Sequence, residues 1–402
     1  METGVTLERG IELACSAPFT RHTEKVSLDE AADRVLAVHL ASKVDDPRFD
    51  NSAMDGWAVR AEDCLQDGAE LRMIGTSQAG ANAPPPVASG EACRIMTGAP
   101  MPEGADAIVM IEDSEETDGL VRISGPARPN YIRRRGENLI LDQIALHAGT
   151  QMSPAAVSLA ATMGHDEIEV VARPRIAVIS TGDELVPPGQ ELSEGEIHES
   201  NSYGLASLVE RMGGKAVRFD IIHDTIEGLR DALDSAANDC DALVTSGGVS
   251  MGQWDLVRKL MEEEGTPLFW RLRLSPGGPP IFGTWKGTPL FGLPGNPVSS
   301  HVVFIALVAP WMSHCMEAHP ELGPKLAEKV KVKLVDSVRG ARGRLCMRRI
   351  MIKPAGDGLS ASVHTHQGSG NIHSMVAHNG LTLLPPDTDA EAGETIDALW
   401  LR

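Results

Sequence analysis

The sequence predicts a multidomain α/β plus β protein: an αβα unit with a parallel sheet, a mainly β insertion before it and a small β-barrel at the C-terminal end. Three observations predict this. Between Pro174 and about Met312, short β-branched runs alternate with amphipathic segments. Before residue 174, turn residues recur at short intervals with β-branched runs between them, and from about residue 325 strand-like alternation returns. The 402 residues leave room for several domains of roughly 150 residues and for at least one large core.

Taken in order, residues 1–44 and 141–172 show helical spacing, in "LDEAADRVLAVHLA" and "SPAAVSLAATMG", and are expected to pack together as one elongated N-terminal domain. Residues 45–140, with "DDPRFDNSAMDGWAVR", "ASGEACRIMTGAPMPEGADAIVM" and "DGLVRISGPA", form the inserted β domain. Residues 173–322 form the αβα domain. Its first strand is "RIAVIS", which ends in the turn "TGDE". A helix follows in "NSYGLASLVERMGG", with Leu205, Leu208, Val209 and Met212 at helical spacing and a glycine stop. "AVRFDII" is the second strand, and "DTIEGLRDALDSAAND" a helix with Ile226, Leu229, Leu233 and Ala236 on one face after an Asp or Thr cap. "DALVTS", "PLFWRLRL" and "TPLFGL" are further strands, and "PVSSHVVFIALVAPWM" the last helix. Residues 323–402 form the barrel, beginning with the strict Lys/Val alternation of "EKVKVKLV" and continuing through "LCMRRIMI", "LSASV" and "LTLLP".

Composition narrows the function. Hydrophobic residues at 42% and charged residues at 23% are ordinary globular values. A formal charge of -20 argues against nucleic acid or an anionic membrane as the partner, while leaving a locally basic pocket free to take a small anion. The cysteines, at 15, 64, 93, 240, 315 and 346, make no CxxC pair. Neither a zinc ribbon nor a disulfide framework is expected, and reduced thiols in a cytoplasm fit. The opening residues lack a signal-peptide core, and the longest apolar run, "VVFIALVAPWM", falls short of the roughly 20 residues of a membrane span.

In a parallel sheet, ligands bind beyond the carboxyl ends of the strands. Four loops should therefore share one rim: Thr181–Glu184, Ser246–Ser250, Ser275–Gly278 and Pro294–Pro297. In "LVTSGGVSMGQWDL", Gly247 and Gly248 let the backbone approach an anion ahead of a helix start, although a plain tight turn reads equally well. Glu184, Asp224 and Asp255 each follow a strand. Singly each reads as a helix cap; together on one rim they call for a divalent cation such as Mg²⁺, bound partly through substrate phosphate. "SPGGPP" (Ser275, Pro276, Gly277) and "LPGNPVSS" (Pro294, Gly295, Asn296, Pro297, Ser299) are rigid turns with polar capacity. Basic islands stand at Arg133–Arg135 and at Arg342, Arg344, Arg348 and Arg349; a solvated face is the bland reading, but Arg344 could offer a fork to an oxyanion. In "HTHQGSGNIH", the turn with Ser369 reads as an anion-holding loop in preference to a metal site.

Seven motifs in fixed order, "FDNSAMDGWAVR", "RIMTGAPMPEGADAIVM", "RRRGEN", "ISTGDEL", "VTSGGVSMGQWD", "FGLPGNPVSS" and "HQGSG", resemble the molybdopterin molybdenumtransferases, including the corresponding domain of gephyrin. The resemblance implies an elongated homodimer whose active site lies between the αβα domain of one subunit and the N- and C-terminal β domains of its partner. It implies adenylyl-molybdopterin and molybdate as substrates, release of AMP with molybdenum left on the dithiolene, and Mg²⁺ as helper. Other cofactor-biosynthesis or molybdoenzyme proteins are implied as partners. By motif, Asp55, Thr97, Glu184, Asp224 and Asp255 carry over as catalytic, the last three also as metal ligands. Ser246, Gly247, Gly248 and Ser250 carry over as the phosphate-holding loop. Ser275, Pro276, Gly277, Pro294, Gly295, Asn296, Pro297, Ser299, Arg344 and Ser369 carry over as pocket or molybdate-site residues.

One departure stands out. The family usually reads KPGKP where this chain has Ser275 and Gly278, and Gln253 and Trp254 also differ from the usual pattern. A charge at about 4 Å in an effective dielectric near 20 is worth roughly 4 kcal/mol before desolvation. Arg271 and Arg273, just upstream on the same strand and by alternation on one face of it, could compensate in part for the lost charge. The alternative is a catalytically altered paralogue that binds molybdopterin or its intermediates as carrier, regulator or scaffold.

Overall fold

A computed structural model describes residues 1–80, 83–248, 255–356, 358–363 and 366–402. The expectations for Ser250, Gln253 and Trp254 lie outside the described residues.

The centre is a seven-stranded sheet built from β1 (Glu2–Val5), β2 (Arg175–Ser180), β3 (Lys215–Arg218), β4 (Ala242–Ser246), β5 (Thr266–Leu272), β6 (Ile281–Trp285) and β7 (Thr288–Leu293). Its order is β1-β5-β6-β7-β4-β2-β3. Because successive side chains of a strand point to opposite faces, Ile176 and Val178 pack with Leu205, Val209, Phe304 and Trp311 on one face. Ala177 and Ile179 pack with Leu229, Leu233 and Leu260 on the other. Burial on both faces is why "RIAVIS" and "ALVTS" read as unbroken apolar runs without alternation.

The sheet is parallel through β3, β2, β4 and β7 and antiparallel where β6 meets β5 and β7. The parallel expectation thus holds on the side that carries the glycine loop. The reversal follows from loop length: only Lys286 and Gly287 separate β6 from β7, both at positive φ, which is the two-residue hairpin geometry, whereas a parallel crossover needs a dozen residues or more. The first residues also join this sheet, with β1 pairing in parallel with β5, and helix Leu7–Cys15 lies against it.

"LDEAADRVLAVHLA" departs from its helical spacing. It makes one short 3-10 turn at Leu28–Glu30, Asp33 then takes φ 61, and the rest runs extended, with Val35 bridging Gln151, Leu36 bridging Val170 and Leu40–Ala41 in a strand. Tertiary pairing overrides local spacing here, since Leu36 is fully buried among Met152, Ala160 and Ile168. "SPAAVSLAATMG" does form a helix, Pro154–Thr162, capped by Ser153.

A six-stranded sheet spans Gly56 to Ile123, around Trp57, whose Nε1 donates to Ser114 Oγ at 2.9 Å. At the other end, Ala327–Leu334, Arg349–Ala355, Gly358–Val363, Gly380–Thr382 and Thr395–Leu401 close into a five-stranded barrel. The apolar run near residue 302 belongs to one continuous helical segment of 19 residues, Pro297–Cys315, which passes through a π-helical turn at Phe304–Val308. That is longer than the run itself indicates. The segment is mostly buried within the protein, where Val302, Phe304 and Trp311 join the sheet core.

Candidate functional site

A cleft of about 640 Å³ opens beyond the carboxyl ends of β2, β4 and β7. Its walls include Thr181, Gly182 and Glu184 after β2, Ser246, Gly247 and Gly248 after β4, and Pro294, Gly295, Asn296 and Pro297 after β7. Asp224 completes this wall. Three of the four loops expected on one rim are therefore together.

The glycine turn is built into the sheet edge. Gly247 holds φ 103, and a Cβ there would lie 2.7 Å from the Thr181 carbonyl oxygen, so only glycine fits without displacement. Its N–H is used structurally, donating to Leu293 O at 3.1 Å. The Asn201 Nδ2 donates to both Ser246 Oγ (2.8 Å) and Gly295 O (2.7 Å), which ties the two loops together. Asn201 Oδ1 is a buried acceptor with no partner. Sequence reasoning missed Asn201, which reads as an ordinary helix start, and Glu199 beside it.

Glu199 is only 2% exposed and also lines the cleft. Its carboxylate accepts from Ser180 Oγ (2.9 Å), Ser202 N (2.7 Å) and Ser202 Oγ (2.7 Å), so its burial is compensated by hydrogen bonds. The available signal was an acid beside the "SN" helix start, but it does not follow a main-sheet strand as the other acids do.

Of the three expected rim acids, Glu184 and Asp224 share the cleft. Burial, then the charges of Asp183 and Glu184, push the Asp224 carboxyl above the ordinary aspartate value. Asp255 is not among the cleft-lining residues. It caps helix Leu256–Glu263, with Oδ1 accepting from Arg258 N at 3.2 Å, and its Oδ2 is buried without a partner. Burial pushes its carboxyl up to about 7. The helix is joined to the glycine turn through Val257 N donating to Gly248 O at 3.2 Å. Among the described residues no three His, Cys, Asp or Glu side chains converge as a metal cage. Two cleft carboxylates fit Mg²⁺, which typically takes one or two protein carboxylates plus substrate phosphate oxygens.

The remaining expected residues are distributed as follows. Asp55 and Thr97 meet in the N-terminal β module, Thr97 donating to Asp55 Oδ1 through its N–H (2.7 Å) and hydroxyl (2.9 Å), and these bonds lower the Asp55 pKa. Neither lines the cleft. Ser275, Pro276 and Gly277 do not line it either; Pro279 does. Met347 N donates to Ser275 O at 2.7 Å, and a Cβ on Gly277 would lie 2.6 Å from Val303 Cγ2. Arg344 lines an adjacent cavity. Ser299 is buried in its helix, and Ser369 O accepts from Val298 N at 3.0 Å, docking the barrel loop onto that helix. Gly370 and Ile372 of this loop line the cleft within the same chain, whereas the resemblance implied a C-terminal wall from a partner.

The loop is held by Arg349, a buried cation that sequence reasoning placed in a solvated island. Nε donates to Ser374 Oγ and Nη2 to Gly368 O, each at 3.0 Å, while Nη1 has no partner. Burial lowers its pKa to about 10. The Gln367 side chain bonds both backbone groups of Arg349. Arg349→Met should keep the fold, because an apolar chain of similar length replaces a desolvated charge. It should cost the loop about 1–3 kcal/mol of local stability by orphaning Gly368 O. Faster amide exchange across residues 367–371, with a melting temperature little changed, is the expected reading.

The family described as the MoeA N-terminal region (domain I and II) matches residues 5–164, the probable molybdopterin binding domain matches residues 177–314, and the MoeA C-terminal region (domain IV) matches residues 331–401. A "Molybdopterin molybdenumtransferase 2" of Mycobacterium tuberculosis is 35% identical over 93% of this chain and 94% of its own. A "Molybdopterin molybdenumtransferase" of Haemophilus influenzae is 38% identical over 73% of each. The crystal structure of a molybdopterin biosynthesis MoeA protein from Pyrococcus horikoshii superposes with a TM-score of 0.84 at 29% identity, covering 99% of this chain and 100% of that one.

Proposed function

The chain belongs to the molybdopterin molybdenumtransferase family, and from that premise we propose that it takes adenylylated molybdopterin and molybdate, releases AMP and leaves molybdenum on the dithiolene. The observation that carries this reading is the convergence of the Ser246–Gly248 and Pro294–Pro297 turns with Glu184 and Asp224 in one cleft. Ser246, Gly248 and Asn296 bind the phosphate region, with Asn201 keeping the two turns in register. Glu184 and Asp224 hold Mg²⁺, which when bound supplies charge neutralisation for the phosphoanhydride oxygens. Asp255, half-buried beside the glycine turn, serves as the proton-handling carboxyl.

The test supplies purified protein with adenylyl-molybdopterin, Mg²⁺ and molybdate and measures AMP. Molybdate-dependent release that disappears in Asp224→Asn supports the reading. A folded protein that binds molybdopterin yet releases no AMP above that variant sinks it, and would make the chain a carrier or scaffold. The cytoplasmic setting is part of the same reading, supported by cysteines that are all free thiols.

The reading includes a homodimer, because Asp55 and Thr97 stand outside the cleft of their own chain. If a partner delivers them, mixing inactive Asp55→Asn and Asp224→Asn proteins should restore activity. Random re-association with one intact site per mixed dimer gives about a quarter of the wild-type rate. No recovery after subunit exchange would exclude a shared site.

A further inference from the structure

Two helices begin at the cleft, and one buried ring stands between them. Ser200 and Asn201 open helix Asn201–Arg211, Asn296 and Pro297 open helix Pro297–Val303, and all four residues line the cleft. One turn further in, the two helices meet at His301 and Gly204. His301 stands one residue beyond the motif "FGLPGNPVSS".

The contact is closer than any other residue at 204 would allow. A Cβ on Gly204 would lie 2.6 Å from both Cε1 and Nε2 of the His301 ring. Gly204 is not among the glycines at positive φ, so its backbone conformation does not call for glycine. Glycine inside a helix is destabilising relative to alanine, and what it admits here is the imidazole. The ring is held from its other edge as well. His301 Nδ1 lies 2.8 Å from Pro297 O, and because a carbonyl oxygen only accepts, Nδ1 carries the proton. Ser300 Oγ donates to the same oxygen at 2.9 Å. Burial holds the His301 pKa below the ordinary histidine value, which favours the neutral ring. With Nδ1 protonated, a neutral ring has no proton on Nε2, so it packs on the Gly204 backbone without stranding a donor.

A planar ring fixed at both edges is a spacer. What depends on the spacing is Asn201, one turn before Gly204, whose Nδ2 reaches Ser246 Oγ at 2.8 Å and Gly295 O at 2.7 Å together. A relative shift of the helices by about 1 Å would stretch one of these bonds out of hydrogen-bond range.

We propose that His301 is a positioning residue of the cleft: seated on Gly204, it sets the gap between the two helix starts and keeps Asn201 within reach of both the glycine turn and the proline turn. That this gap serves ligand binding rests on the proposed function; the spacer itself does not.

A cycle of Gly204→Ala, His301→Ala and the double variant in the full-length protein tests it, because the added methyl and the lost ring should compensate each other. In the ligand-free protein, amide exchange across residues 200–204 and 294–298 should quicken in each single variant and return towards wild type in the double. In the AMP-release assay, each single variant should raise the KM for adenylyl-molybdopterin by about 5-fold or more with kcat little changed, since a binding wall is displaced and no reacting group is lost. The double variant should have a KM nearer wild type than either single, while its melting temperature stays below wild type because core volume is lost. Recovery of KM without recovery of stability separates positioning from packing. His301→Asn keeps a donor for Pro297 O but is too short to cover Gly204, and should behave as His301→Ala does. Single-variant effects that simply multiply in the double, single variants that exchange as wild type does, or a wild-type KM in His301→Asn overturn the spacer. The two readings fail separately: AMP release with the same KM in all variants removes the spacer and keeps the enzyme, whereas the compensating exchange pattern without any AMP release keeps the spacer and removes the enzyme.

Discussion

Asp255→Asn is expected to lower AMP release by about 10²- to 10⁴-fold, the usual contribution of a positioned proton-transfer group. The substitution is conservative in structure. Asn caps helices as well as Asp does, so the bond from Arg258 N is retained and the start of helix Leu256–Glu263 should survive. The loss would thus report chemistry, not unfolding. Stability of the ligand-free protein gives an independent reading. Burial raises the Asp255 pKa from 3.8 to about 7, so the fold favours the neutral acid. The stabilising contribution of that raised pKa is complete below about pH 4 and is lost as pH rises through 7. Asn cannot ionise. The variant should therefore gain stability relative to wild type between pH 5 and pH 8, while its AMP release stays far below that of wild type throughout. Urea denaturation at both pH values checks the sign; a difference between the two proteins that does not change with pH would show that Asp255 is not held neutral.

Gly247→Val should be the most damaging single change in the cleft. Its φ of 103 lies where β-branched residues are genuine outliers, and the new Cβ would be placed 2.7 Å from a backbone oxygen, Thr181 O. Backbone strain alone costs of order 1–3 kcal/mol, and the clash can be relieved only by parting β2 from β4, which Thr181 N and Ser246 O bridge at 3.2 Å. A total loss of at least about 3 kcal/mol is expected, with no measurable AMP release. Gly248→Ala is the control. Its φ of 65 is the left-handed region that other residues reach at about 1–2 kcal/mol, and its Cβ would meet the end of the Val257 side chain at 3.0 Å, which can move. If the two variants melt alike, the turn is more pliable than its geometry indicates.

Legibility differed from element to element. "RIAVIS" and "DALVTS" were readable because a strand buried on both faces must be apolar throughout. "EKVKVKLV" was readable because a barrel wall alternates inside with outside, as Val332 and Leu334 do on burial. Helix Ile226–Asp239 declared itself through its cap and its stripe of Leu229, Leu233 and Ala236. "LDEAADRVLAVHLA" misled, since its apolar spacing serves equally well for an extended segment threaded through a small core. The carboxylates of the cleft were only partly legible: Glu184 and Asp224 follow strands, whereas Glu199 and Asn201 matter through partners on other loops. Arg349 looked like a surface charge because nothing in "MRRIM" says that one arginine of the pair points inward.

By itself, the sequence determined the class of each region, the strand-end positions of the glycine and proline turns, and the order of motifs that marks the family. Those are local properties, set by side-chain periodicity and by backbone conformations that only glycine or proline favours. Only the tertiary structure decided which strand ends meet. It joined the first strand to the central sheet, brought the barrel loop into the cleft of its own chain, kept Asp55 and Thr97 out of it, and set Arg273 beside Arg344. The reason is that strand order and side-chain facing depend on long-range pairing, in which residues about 70 positions apart become neighbours through backbone hydrogen bonds that any residue but proline can donate.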